Sequence, residues 1–396
     1  MSERTAACPS CGAGGMREFY GARGVPVHSV LLMPTRERAV GYPRGDVRLA
    51  ACATCGFISN AAFDPSVHEY SPEYEETQGY SSEFNAFADR LAGRLVERYG
   101  VRGKTVLEIG CGKGEFLARM VELGGNRGVG IDPAVVPERF PEPLRDRVEL
   151  IQDFWSPAYA DLPGDFVCCR HTLEHLGDVG RFVADLRAAI GARGDVLLFL
   201  EVPETLRVLD EGAFWDVYYE HCSYFTPGSL ARLVRRSGFE ILELSLDFHD
   251  QYLVLVARPA SAGAAGTPLP IEEDLDDLAE RVARFETRAP ERIEEWRRRI
   301  AGDARSGRRV VLWGGGSKAV AFLTTLGLRD EVIALADLNP FKQGKFVPGT
   351  GHEVVSPERL REIRPDVVVA MNPAYREEIR RDLARLGLAP ELLALE

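Results

Sequence analysis

The chain has 396 residues, 45% of them hydrophobic and 27% charged, with a formal net charge of −12. That length exceeds what one core usually fills, so two or three domains are expected. The acidic balance excludes a protein that works mainly by coating phosphate backbones, and no apolar run reaches the ~20 residues that cross a bilayer.

The start, MSERTAACPS, carries no hydrophobic leader segment, so the expectation is a cytoplasmic protein whose eight cysteines stay reduced. Half of them fall in two pairs, CPSC (Cys8, Cys11) and CATC (Cys52, Cys55). Each pair allows two thiolates to converge on one tetrahedral ion, and four close the shell of a structural Zn2+. A redox dithiol is the rival, but it needs one pair beside a βαβ unit. The long stretch between the pairs must carry strands of its own. The remaining cysteines, Cys111, Cys168, Cys169 and Cys222, read as small core residues, with Cys222 also a candidate reactive thiol.

After a helical stretch at 83–100, TVLEIGCGKGEFLARM reads as a buried strand, a glycine turn and a helix. Gly110, Gly112 and Gly114 let the backbone bend sharply and approach a ligand. NRGVGIDP is a second strand ending in Asp132, placed to accept from ribose hydroxyls, and VELIQDF a third ending in Asp153. DFVCCRHTLEH is a fourth strand, VGRFVADLRAAIG a helix, and DVLLFLEVP a fifth strand. The alternation predicts an α/β fold with a mainly parallel sheet and helices on both faces.

The low-complexity link ARPASAGAAGTPLP ends this domain, and a helical Glu/Arg-rich stretch follows over 271–304. The basic cluster Arg297 to Arg299 with Arg308 and Arg309 is expected to be a solvated helix face. RRVVLWGGGSKAVAFLTTLG then repeats the strand, glycine turn and helix, VIALADLNP ends in Asp337, and PDVVVAMNP is expected as the last strand. Gly314-x-Gly316-x-x-Ala319 fits the dinucleotide fingerprint loosely. Three readings stay open for this unit: an NAD site, a site for the nucleotide part of an activated substrate, or a structural half without ligand.

Residues 216–226, DVYYEHCSYFT, gather Asp216, Tyr218, Tyr219, Glu220, His221 and Tyr224. Alone, the strip is either catalytic or an aromatic stretch of core with polar tips packed beneath PGSLARLVRRSGF.

The order EIGCGKG, GIDP, QDF and HTLEH resembles the class I S-adenosylmethionine-dependent methyltransferases over about 83 to 258. A nicotinamide enzyme is the alternative, but the first turn lacks GxGxxG spacing. The resemblance implies that Glu108 and Gly110 to Gly114 hold the methionine part of the cofactor. It puts Asp132 on the ribose, and Asp153 and Phe154 along the adenine.

The paired CxxC motifs, the core YxEHxSYF of the strip and ADLNPFKQGKFVPGTG extend the resemblance to nearly the whole chain. They are similar to the deoxysugar C-methyltransferases, which methylate nucleotide-linked (dTDP) 4-keto sugars in antibiotic biosynthesis. That implies a zinc-binding module over 1–68, a methyltransferase domain over 69–258 and a Rossmann-like domain over 271–396, in a monomer with structural zinc. It also implies a small-molecule acceptor, with neither nucleic acid nor membrane as partner. His221 is then the base, Glu220 orients substrate or imidazole, and Tyr218 donates to an enolate oxygen. His175 and His171 sit at the carboxyl edge of the sheet, the latter as catalyst or support. Tyr74 and Tyr80, in SPEYEETQGYSSEF, are expected in a lid, and Lys318 against the substrate. Three departures lie near the acceptor: Tyr219 where relatives carry histidine, HTLEH where they often have an Asn-containing segment, and DFHDQYLVLVA in place of a glycine-glycine-serine stretch. The same base also serves O- or N-methylation of a sugar or other metabolite. An RNA methyltransferase and a non-enzymatic scaffold are the rivals from other classes.

Overall fold

The computed structural model describes residues 7–67, 70–162, 164–261 and 266–396. β1 (Arg17–Pro26), β2 (Arg44–Ala51) and β3 (Ile58–Asn60) pair antiparallel. The two CxxC turns lie at one end of this sheet, one before β1 and one between β2 and β3. In each, a following glycine donates its N–H to the first cysteine's carbonyl at 2.8 Å, Gly12 to Cys8 and Gly56 to Cys52.

The helix Ser82–Arg98 is capped by the Ser81 hydroxyl, which accepts from Phe84 N–H. Its buried face is Phe84, Phe87, Leu91 and Leu95, the three- and four-residue spacing of one helical stripe. Beyond it lie β4 (Thr105–Ile109), β5 (Arg127–Ile131), β6 (Val148–Ile151), β7 (Phe166–Arg170), β8 (Leu197–Pro203), β9 (Ser223–Tyr224), β10 (Phe239–Asp247) and β11 (Tyr252–Pro259). Seven of these make one sheet in the order β10-β11-β8-β7-β4-β5-β6. β4 to β8 run parallel, and β11 is antiparallel to both its neighbours. Runs such as Leu198, Phe199 and Leu200 are wholly buried because helices cover both faces. Chain order reverses between β4 and β7, and that switch point opens a crevice at the strands' carboxyl ends.

The long helix Leu275–Arg305 leads into β12 (Val310–Trp313), β13 (Ala334–Ala336), β14 (Val354–Val355), β15 (Val367–Ala370) and β16 (Glu391–Ala394). They form an all-parallel sheet in the order β14-β13-β12-β15-β16, a second doubly wound unit. PDVVVAMNP is therefore not the last strand: β16 follows it, short and half-buried at the sheet edge. Arg297 to Arg299, Arg308 and Arg309 pair with Glu294, Asp303, Glu391 and Asp366, as a solvated helix face and its surroundings require. Among the described residues no helix is long and apolar enough to cross a membrane.

The N-terminal sheet is not closed within the first 68 residues. Its fourth strand is β9, from the strip itself, with Ile58 opposite Tyr224 and Ser59 opposite Ser223. One buried cluster also runs from Val47 and Leu49 through Phe214 and Trp215 to Phe285 and Phe322. The strip is thus the seam where all three parts meet.

Candidate active site

A cavity of about 510 Å³ opens at the carboxyl ends of β4, β5, β7 and β8. The segment 70–84 and the strip wall it, and the glycine turn after β12 and the loops after β13 and β15 close its far side.

One half is built by the turn after β4. A Cβ on Gly110, at φ +72°, would lie 1.9 Å from Thr172 Oγ1, and one on Gly112, at φ +53°, 2.6 Å from Glu76 Oε1. Only glycine allows both the left-handed backbone and the approach. Asp132, just past β5, accepts from Gly112 N–H at 2.8 Å and Ala134 N–H at 2.7 Å. Glu108 is buried, its Oε2 has no hydrogen-bond partner, and burial pushes its carboxyl up to about 8. Asp153 and Phe154 line the cavity, Phe154 edge-on to Tyr70 with ring centroids 6.1 Å apart. Gly114 does not line it: a Cβ there would meet Phe140 at 2.7 Å, so its smallness serves packing at the helix start. The cradle fits S-adenosylmethionine through its glycine approach, the Asp132 carboxylate that lines the cavity and the orphaned buried oxygen of Glu108.

Lys113, inside the glycine turn, and Glu76, inside the segment of Tyr74 and Tyr80, had no role of their own in the sequence reading. Lys113 is buried and donates to the carbonyls of Ala134 at 2.6 Å, Tyr74 at 3.0 Å and Pro72 at 3.3 Å, which ties the 72–76 segment to the glycine turn. Glu76 faces it at 3.9 Å, its carboxyl pushed up to about 7 by burial. The one available signal was the density of acids beside Tyr74.

The strip supplies the other half, and it divides unevenly. Tyr218 and His221 line the cavity with ring centroids 4.2 Å apart, and His175 stands perpendicular to His221 at 4.8 Å. Glu220 does not line it. Its carboxylate is buried between Ser29 N–H at 2.7 Å, the Ser29 hydroxyl and Tyr74 O–H at 2.5 Å, so it fastens the strip to two other segments. Tyr219 points into the N-terminal module, where its oxygen accepts from Asp64 N–H at 2.8 Å and its ring packs on Phe63. Tyr219, a departure expected near the acceptor, therefore does not line the cavity. A 3-10 turn at Phe214–Asp216, the irregular residues before β9 and the pairing of β9 with β3 together break any strict alternation of faces.

His171 has φ +47° and sits 3.0 Å from Glu201 and 3.6 Å from Glu174. Burial opposes its cation, but the two carboxylates outweigh it and raise the imidazolium to about 9. The paired carboxylates favour its charged form, which suits support of the sheet edge, one of its two expected roles. Glu201 is buried too, yet Arg170 at 2.6 Å and His171 hold its carboxyl down to about 2. His175 goes the other way: burial and then His221 push it down to about 3, so its imidazole is neutral.

Tyr74 and Tyr80 both line the cavity, Tyr74 buried and Tyr80 38% exposed. Lys318 reaches in from the first turn of the second doubly wound unit and pairs with Asp216 at 2.6 Å. Cys222 is buried, its thiol pushed up to about 12, so it is no reactive thiolate. Cys111, Cys168 and Cys169 are buried as expected.

Away from the cavity, the sulfurs of Cys8, Cys11, Cys52 and Cys55 all lie within 4.8 Å of one another. Four soft donors held by two matched turns, with no acid or water-bearing side chain among them, suit one tetrahedral ion.

The sheet order, the glycine cradle and the carboxylate after β5 define a class I S-adenosylmethionine-dependent methyltransferase. Comparison with known proteins agrees. Residues 84–244 match the family model described as "Methyltransferase domain", and residues 271–388 the one described as "C-methyltransferase C-terminal domain". The C-methyltransferase NovU of Streptomyces niveus is 28% identical over 310 residues, 73% of this chain and 71% of that one. A tRNA U34 carboxymethyltransferase of Campylobacter hominis is 34% identical over 104 residues, 25% of this chain and 36% of that one. Among solved structures, the 1,6-didemethyltoxoflavin-N1-methyltransferase of Burkholderia thailandensis is 21% identical, covering 52% of this chain and 96% of that one with a TM-score of 0.36. A segment matching a methyltransferase domain is thus followed along this chain by one matching the C-methyltransferase C-terminal domain.

Proposed function

We propose that the protein methylates a carbon next to the ketone of a nucleotide-linked (dTDP) 4-keto deoxysugar in natural-product biosynthesis. The observation that carries the reading is the Tyr218–His221 pair, open to the same cavity as the glycine cradle and the second doubly wound unit. The likeness to the C-methyltransferase NovU supports transfer to carbon. A cavity shared by two nucleotide-type folds supports an acceptor that carries its own nucleotide, with Lys318 beside it.

S-adenosylmethionine, when bound, supplies a methyl group on a sulfonium. Glu108, Gly110, Gly112 and Asp132 hold it in this reading, with Asp153 and Phe154 along the adenine. His221 takes the proton from the carbon beside the ketone, the task an imidazole performs in general base catalysis. Tyr218 donates to the enolate oxygen. His175, kept neutral by burial, adds no competing positive charge beside the base. Glu220 keeps the strip in place through Ser29 and Tyr74 rather than touching substrate.

The four cysteines hold Zn2+ in a structural role: that sheet includes β9, so the ion also steadies the strip. The site is completed by one chain's own three parts, which supports a monomer.

The test is His221→Ala. Binding of S-adenosylmethionine should stay nearly intact while turnover on a nucleotide-linked keto sugar falls by ~10²–10⁴-fold. Unchanged turnover would remove His221 from the mechanism, and a methyl found on oxygen or nitrogen would replace C-methylation with the other transfer.

A further inference from the structure

Glu174, His175 and His221 offer one ligand atom each, and the three atoms lie within 4.8 Å of one another. Methyl transfer as proposed needs only the last of them as base. Glu174 is 2% exposed and faces the cavity, yet its Oε2 has no hydrogen-bond partner. Its other oxygen faces His171 Nδ1 at 3.6 Å. A buried carboxylate oxygen left without a partner costs free energy unless something fills the place.

The supports are firm. Glu174 and His175 sit on the 3-10 turn Leu173–His175, and the Cys222 thiol donates to the Glu174 carbonyl at 3.8 Å. His221 is held by β9, two residues on, and by the rings of Tyr218 and His175. Two imidazoles and one carboxylate match Zn2+, Co2+ or Ni2+, whereas Mg2+ and Ca2+ prefer all-oxygen shells. Three protein donors leave an open coordination position toward the cavity.

We propose that Glu174, His175 and His221 form a second metal site, separate from the four cysteines, that takes a divalent first-row transition ion and silences the base when filled. The second half rests on the reading of His221 as base. An imidazole nitrogen whose lone pair is donated to a metal has none left for a substrate proton. No bond to substrate forms, and chelation of the ion restores the base.

Co2+ is the probe, added to the zinc-loaded protein without cofactor or substrate, and read by visible absorption and metal analysis. One further Co2+ per chain should bind without thiolate-to-cobalt charge-transfer bands, and turnover should fall in proportion to occupancy. Glu174→Gln should weaken Co2+ binding by ~10²-fold, and His175→Asn is the second variant should that one fail to fold. Retained S-adenosylmethionine binding and an unshifted thermal melt show that each variant is folded. No Co2+ beyond the cysteine site, equal binding by the variants, or full turnover with the site filled would overturn the proposal. The two readings separate cleanly. If turnover proceeds and Co2+ does not bind, only the metal site falls. If His221→Ala keeps its turnover but loses Co2+, the metal site stands, while the base and the silencing that rests on it fall.

Discussion

Lys318 Nζ lies 2.6 Å from Asp216 Oδ1, so the C-terminal domain and the strip are joined by an ion pair inside the cavity. Asp216 also receives Arg207 at 2.7 Å. Burial raises its carboxyl, but the two cations outweigh burial and hold it near 2, below its ordinary 3.8.

Lys318→Met should therefore lower stability by about 1–3 kcal/mol, because Asp216 keeps only one of its two cations in a buried place. Urea unfolding measures it. The sign of the pH dependence follows from the depressed carboxyl. Its contribution is present above pH ~4 and fades as pH falls toward 2. The mutant and wild-type unfolding curves should converge over that window and stay apart at neutral pH.

A second pH effect belongs to the cofactor cradle. Burial leaves Glu108 largely protonated below about pH 8. A cationic ligand favours the carboxylate, so binding of S-adenosylmethionine should release protons and tighten as pH rises from 6 to 8, then level off. Calorimetry in buffers of different ionisation enthalpy reads the released protons. Glu108→Gln should flatten the dependence.

Tyr219→Phe separates packing from chemistry. Its oxygen accepts from Asp64 N–H, and neither residue lines the cavity. The variant should lose about 1 kcal/mol of stability, measured by denaturant unfolding, with kcat and KM unchanged. A changed acceptor preference would return Tyr219 to the acceptor wall.

Much of this was legible beforehand. Glycine turns and wholly apolar strands such as Leu198 to Leu200 leave a strong signal, so the parallel sheets and the cradle were expected. β16 was missed because ELLALE is brief and half-buried at an edge. The strip resisted for a different reason: Tyr218 and His221 face the cavity while Tyr219 and Glu220 turn away, a split set by a 3-10 turn and by pairing with β3. That pairing is long-range, and no local spacing reports it. Glu174 was visible inside HTLEH, but its nearness to His221 depends on how the strip returns to the sheet.

Removal of the ion proposed at Cys8, Cys11, Cys52 and Cys55 should disturb more than the N-terminal module. β3 and β9 share a sheet, so Cys52→Ser should lower metal content from about one ion per chain and depress turnover together with stability. Metal analysis beside thermal melting checks it. Full turnover in the metal-free protein would confine the cluster to a local role.

Transfer to carbon is decided by a nucleotide-linked 4-keto deoxysugar carrying deuterium on the carbon beside the ketone. The methylated product should have lost that deuterium and bear the new methyl on the same carbon. A product that keeps the deuterium there and carries the methyl elsewhere would contradict it.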